Sequence, residues 1–186
     1  MSRHWLLTTT FYGNWLPGDH RGFVSRVRDQ REDDPDTVVR LVHAIPGTPY
    51  DQDISGLRRS AIENLKCPPI RITLQHAELL ANQFQETASF RKWVIHALAI
   101  MVDHIHIVVE VPDDPDPEKI LGDFKAWGSR PLNREYGKPP SGTWWTYGGS
   151  KRKLPDAEAL RRASFYVLFK QPHPLVVWPP PASGVA

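Results

Sequence analysis

Residues 93–111, WVIHALAIMVDHIHIVVEV, constrain the fold more than any other stretch of this chain. Two aliphatic runs flank a turn at Asp103, and their near-continuous apolar composition predicts a hairpin of central strands covered on at least one face. Within the second run stand two histidines, His104 and His106. Side chains on a strand alternate with period 2, so both imidazoles point the same way, roughly 6.6 Å apart, while Ile105 and Ile107 point the other way. A lone strand histidine is ordinarily a packed residue bonded to its neighbours. Two on one face are harder to bury, because each neutral ring must satisfy a donor and an acceptor. A shared metal ion would use both acceptor nitrogens at once.

The elements around this hairpin set the class. HWLLTTTFY is a β-branched and aromatic strand stopped by the glycines and proline of GNWLPGDHRG. TLQHAELLANQFQETASF places Leu74, Ala77, Leu80, Ala81, Phe84 and Ala88 at helical spacing. DDPDPEKILGDFKAWGSRPL opens with prolines and acids suited to a helix start, and Ile120, Leu121, Phe124 and Trp127 form its apolar stripe. GTWWTYGG is expected to be a short aromatic strand. LPDAEALRRASFYVLFKQ is a third helix, begun by Pro155 and Asp156 and ended by Pro172. The order β-α-β-β-α-β predicts an α+β fold, a ferredoxin-like antiparallel sheet with an extra C-terminal helix. One domain over residues 1–178 is expected, with a polar insertion at about 20–70 of little regular structure, a short helix at LRRSAIENL, and a disordered tail at 179–186.

Charge and cysteine content narrow the function classes. Residues 1–117 carry a net charge of −4 and residues 118–186 one of +6, so the second part is the expected polyanion-facing end. The single cysteine, Cys67, excludes an internal disulfide and a cysteine-rich zinc site, which fits a reducing compartment, the cytoplasm by default. No run approaches 18 apolar residues, so no membrane span is expected. Lys125, Arg130, Lys151, Arg152 and Lys153 form a basic stretch interleaved with Trp127, Trp144, Trp145 and Tyr147, a composition suited to single-stranded or hairpin nucleic acid, with about half the rings expected in the core. Arg26, Arg28 and Arg31 are a second, weaker basic group because acids adjoin them. His96 is expected to be structural.

On the third helix Tyr166 has Arg162 four residues before it and Lys170 four after, all on one face. A phenol is a weak nucleophile unless cations favour the phenolate, which Arg162 and Lys170 could do while also holding a phosphate. The residues leave three readings open: an enzyme using Tyr166 as a nucleophile beside a bound phosphate, a non-catalytic nucleic-acid-binding module, and a metallohydrolase using Asp103 beside the histidines. The last explains neither the basic end nor Tyr166.

DHIHIVVEV resembles the His-hydrophobic-His strand of the HUH endonucleases, and FYVLFKQ resembles the nucleophile helix of their single-tyrosine transposases, the group of small insertion-sequence and REP-associated tyrosine transposases. TTFYGNWLPGDHRG is similar to the N-terminal signature of one branch of that group. The resemblance implies that His104 and His106 bind a divalent metal, Mg or Mn, and that Tyr166 attacks a DNA phosphodiester to give a 5′-phosphotyrosine and a free 3′-OH, with no nucleotide cofactor. It also implies a homodimer acting on single-stranded or hairpin DNA, and a third ligand, commonly a Gln four residues past the tyrosine. Lys170 stands there, with Gln171 one residue further on, so Gln171 fills that role only where the helix loosens before Pro172.

Overall fold

The computed structural model describes residues 2–16, 26–30, 38–42 and 55–180. They divide into two compact units, one of residues up to Asn14 together with those from Pro69 onward, the other Trp15–Pro68. In the larger unit the chain enters strand β1 (Arg3–Thr10). The smaller unit holds strands β2 (Arg26–Gln30) and β3 (Val38–Val42), paired antiparallel, and helix α1 (Ser55–Glu63). The segment read as having little regular structure therefore contains a hairpin as well as the expected helix. Arg26 and Arg28 lie on β2; Arg31 lies outside the described residues, as does the tail from 181.

The larger unit continues with α2 (Leu74–Arg91), β4 (Val94–Ile100), β5 (His104–Val111), α3 (Pro117–Tyr136), β6 (Ser150–Leu154), α4 (Ala157–Phe169) and β7 (Val176–Trp178). Its sheet runs β6-β1-β5-β4-β7, and every pairing is antiparallel. The first four strands have the order of a ferredoxin-like sheet, as expected, and β7 adds an edge beside β4 that the proline-rich C-terminal sequence did not reveal.

Alternation along β5 builds two cores. Ile105, Ile107, Val109 and Val111 face α2 and α3, where they pack with Leu7, Leu80, Phe84, Leu98, Ile100 and Phe124. Val108 faces α4, where Ala97, Ala99, Met101, Leu154, Ala163 and Val167 form a smaller cluster. Helix α3 starts where expected, at Pro117, with Asp116 Oδ1 accepting the Glu118 N–H at 2.9 Å. It runs on through Pro131 to Tyr136, held at that end by buried Leu132 and by Trp144 Nε1 donating to Asn133 Oδ1 at 2.8 Å.

The last ferredoxin-like strand differs from expectation. GTWWTYGG contributes only an isolated bridge, Phe11 to Trp145, and the strand is the basic segment SKRKL. Trp144 and Trp145 are both buried, and Trp145 Nε1 donates to Lys125 O at 2.9 Å and to Ser129 Oγ at 2.8 Å. These rings close the core beside α3, with Trp145 stacked on Phe11 at 5.0 Å. A strand at the sheet's edge pairs on one side only, which lets a polar sequence take that place.

Candidate metal and tyrosine site

Since Val108 faces α4, His104 and His106 face it too. His104 sits at the β5 end next to the turn, and His106 is buried at 6% exposure. Their rings lie 5.0 Å apart at 86°. The register sets Thr8 of β1 directly across from His106, and Thr8 Oγ1 is bonded to His106 Nδ1 at 2.7 Å. Asp103, in the turn, accepts from His104 Nδ1 at 2.6 Å. Burial, reinforced by the neighbouring His104, pushes the His106 pKa down to about 3, so its imidazole is neutral at ordinary pH. Two rings fixed through Nδ1 by an oxygen partner, one of them held neutral, fit a metal taken by Nε2, the arrangement in which outer oxygen partners orient metal-binding histidines.

Helix α4 brings Tyr166 to the same place. Asp156 caps it, Oδ1 accepting the Ala159 N–H at 2.7 Å, and Ala163 and Val167 seat it on the sheet. The Tyr166 ring then stands 5.7 Å from the His106 ring at 72°, in an edge contact, and the residue is 45% exposed, so its side chain is open to solvent beside the histidines. The three residues singled out by pattern, His104, His106 and Tyr166, thus meet on one face of one chain.

The basic residues divide. Arg162, Lys170 and, by alternation on β6, Arg152 lie on the α4 side. The Arg162 guanidinium is 3.8 Å from Glu158, and the Lys170 ammonium lies 5.6 Å from the Phe165 ring centre, so each already has a partner on the helix. Lys151 and Lys153 alternate to the α2–α3 side, where Lys151 pairs with Glu118. Arg130 lies over the Trp127 ring at 3.7 Å. The Lys125 ammonium donates to the carbonyl of Thr146 at 2.8 Å and to that of Gly148, and burial pulls its pKa down to about 8. Lys125 ties the 146–148 segment to α3.

Helix α4 ends at Phe169, so Gln171 lies beyond the regular turn, and its Nε2 donates to the Tyr166 carbonyl at 3.2 Å. Thr8 is the site residue that sequence reasoning missed, since only the β1–β5 register sets a threonine against His106. Asp103, read mainly as a turn residue, also belongs to the site through His104.

Residues 70–148 match the model of the family described as transposase IS200 like, a span that contains His104 and His106 but not Thr8 or Tyr166. Among solved structures, one titled as a REP-associated tyrosine transposase bound to a REP hairpin matches with a TM-score of 0.48 and 9% identity, covering 90% of this chain; this chain spans 66% of that one. No curated protein matches.

Proposed function

We propose that this chain, whose residues 70–148 match the IS200-like transposase family, is a member of it that nicks and rejoins single-stranded DNA, hairpin DNA in particular, with Tyr166 as nucleophile. The observation that carries the reading is the contact of the Tyr166 ring with His106, 5.7 Å between centroids, across the face that also holds His104. Nothing in a plain packing role requires a half-exposed tyrosine and two oxygen-oriented imidazoles together.

In this reading the Tyr166 hydroxyl oxygen bonds to phosphorus, the bond to the 3′ oxygen breaks, and the DNA leaves with a 3′-OH while its 5′ phosphate stays on the tyrosine. His104 and His106 hold a divalent metal, Mg or Mn, through Nε2, with Gln171 Oε1 as the third side-chain donor. A metal there polarises the scissile phosphate and offsets its developing charge. Thr8 and Asp103 keep the two rings in the ligating orientation. Arg152, Arg162 and Lys170 contact the DNA backbone beside the tyrosine; of the remaining basic residues, Lys153 and Arg130 extend the contact to the far side of the sheet, and Lys125 and Lys151 support them. The protein acts as a homodimer in which each tyrosine serves the histidines of its own chain.

The test is cleavage of a labelled single-stranded hairpin with Mn or Mg by the native protein and His106→Ala, beside a binding measurement on both. Cleavage falling at least 100-fold with DNA affinity within about threefold supports the reading. Equal loss of both contradicts the metal role of His106. Binding by the native protein with no cleavage under either metal would make the chain a nucleic-acid-binding module.

A further inference from the structure

We propose that His4, His96 and Glu110 form a second divalent-metal site, built for a first-row transition ion such as zinc, on the histidine-bearing face of the sheet but toward its opposite end. His4 is the cross-strand partner of Glu110, and alternation puts both on the α4 side with Leu6 and Val108. His96 arrives there by a backbone device. Leu98 and Ile100 face α2 and α3, so regular alternation would send His96 to that side as well. The register of β4 against β5 slips between Ile95 and Ala97, Ile95 packs toward α2 and α3, and His96 turns onto the α4 side beside Ala97. Bulges of this kind re-aim a side chain, and here the result is a third metal-binding group beside two already paired.

The atoms converge as ligands do. His96 Nε2 lies 3.1 Å and His4 Nε2 3.4 Å from the same carboxylate oxygen, Glu110 Oε2, and the ligand atoms of the three groups all lie within 4.8 Å of one another. A tetrahedral ion bonded at about 2.0–2.2 Å sets neighbouring donors about 3.3–3.5 Å apart, so little movement is needed to admit it. Two imidazoles with one carboxylate suit zinc and its neighbours rather than Mg or Ca, and leave a fourth position for water. The side chains are 27–29% exposed, open enough for an ion and a water to enter. Among the described residues this is the one group of three or more His, Cys, Asp or Glu gathered closely enough to hold an ion. Glu110 is four residues from His106 on β5, about 13 Å along an extended strand, too far to share a metal. Bound there, the ion would staple β1, β5 and β4 at one end of the sheet.

Tag-free protein stripped with chelator and titrated with Co2+ and with Zn2+ tests this, first with His104→Gln and His106→Gln installed to remove the other pair. The expected result is one saturable equivalent with the visible absorption of tetrahedral cobalt and a rise in Tm of about 5 °C at 100-fold excess over Kd. Adding His96→Gln, and separately Glu110→Gln, weakens that binding at least tenfold and removes the Tm rise. If the double His104/His106 variant does not fold, the same titration of otherwise native protein falls from two equivalents to one on His96→Gln. No saturable binding with the His104/His106 pair removed, or binding indifferent to both variants, overturns the site.

Discussion

His106 shows what a single buried imidazole demands of the residues around it. Its pKa of about 3 lies below the ordinary 6.5, so between those values the unfolded chain takes up a proton that the folded chain refuses. Stability from this group is complete above pH 6.5 and is lost as pH falls toward 3, about 2 kcal/mol by pH 5. In chelator, Tm of the native protein should drop from pH 7.5 to pH 5 by several degrees more than Tm of His106→Gln; equal drops would mean that another group drives the acid loss. The two histidines and Tyr166 were legible in the sequence because each stands out chemically from its surroundings. Thr8 was not, since a threonine in a strand is ordinary until the register sets it opposite His106. Lys125 is a related case: its charge is visible in the sequence, but the carbonyls of Thr146 and Gly148 that receive its ammonium are not.

At the level of elements, the close approach of α2 and α3 depends on Gly128. A Cβ built there would meet the buried side chains of Leu80 and Phe84, at Cδ2 and Cε1, both at 2.9 Å, inside normal contact, so these side chains or the helices that carry them would have to shift. Gly128→Ala should cost about 1–3 kcal/mol in chemical denaturation, despite the better helix propensity of alanine. A stabilised variant would show that the two helices have slack. Periodicity found α2, α3, α4 and the β4–β5 hairpin because each has a one-sided apolar stripe or an unbroken aliphatic run. The same reasoning placed a strand on GTWWTYGG, because β propensity and core burial draw on the same aromatic residues, and Trp144 and Trp145 serve the core. It passed over SKRKL and β7, edge strands whose stability comes from β1 and β4 and not from their own composition.

For the whole molecule, the ferredoxin-like order of four strands and the α+β class followed from element order, but the β7 edge and the position of α4 did not. That helix could have served a neighbouring chain; in this chain it lies across its own β5 and sets Tyr166 against its own His106. Mixing inactive His106→Ala with inactive Tyr166→Phe should therefore leave strand cleavage absent, whereas a tyrosine working on its partner's histidines would regain roughly a quarter to a half of native activity in mixed dimers.

The central claim is that Tyr166 becomes covalently joined to DNA. It is tested most directly by incubating the protein with a 5′- and internally labelled single-stranded hairpin and Mn or Mg, then resolving the products on a denaturing gel beside Tyr166→Phe. The account predicts a protease-sensitive, label-bearing protein band that requires both the metal and Tyr166, with a matching fragment ending in a 3′-OH. A band of equal intensity from Tyr166→Phe, or cleavage that leaves no DNA on the protein, would contradict it.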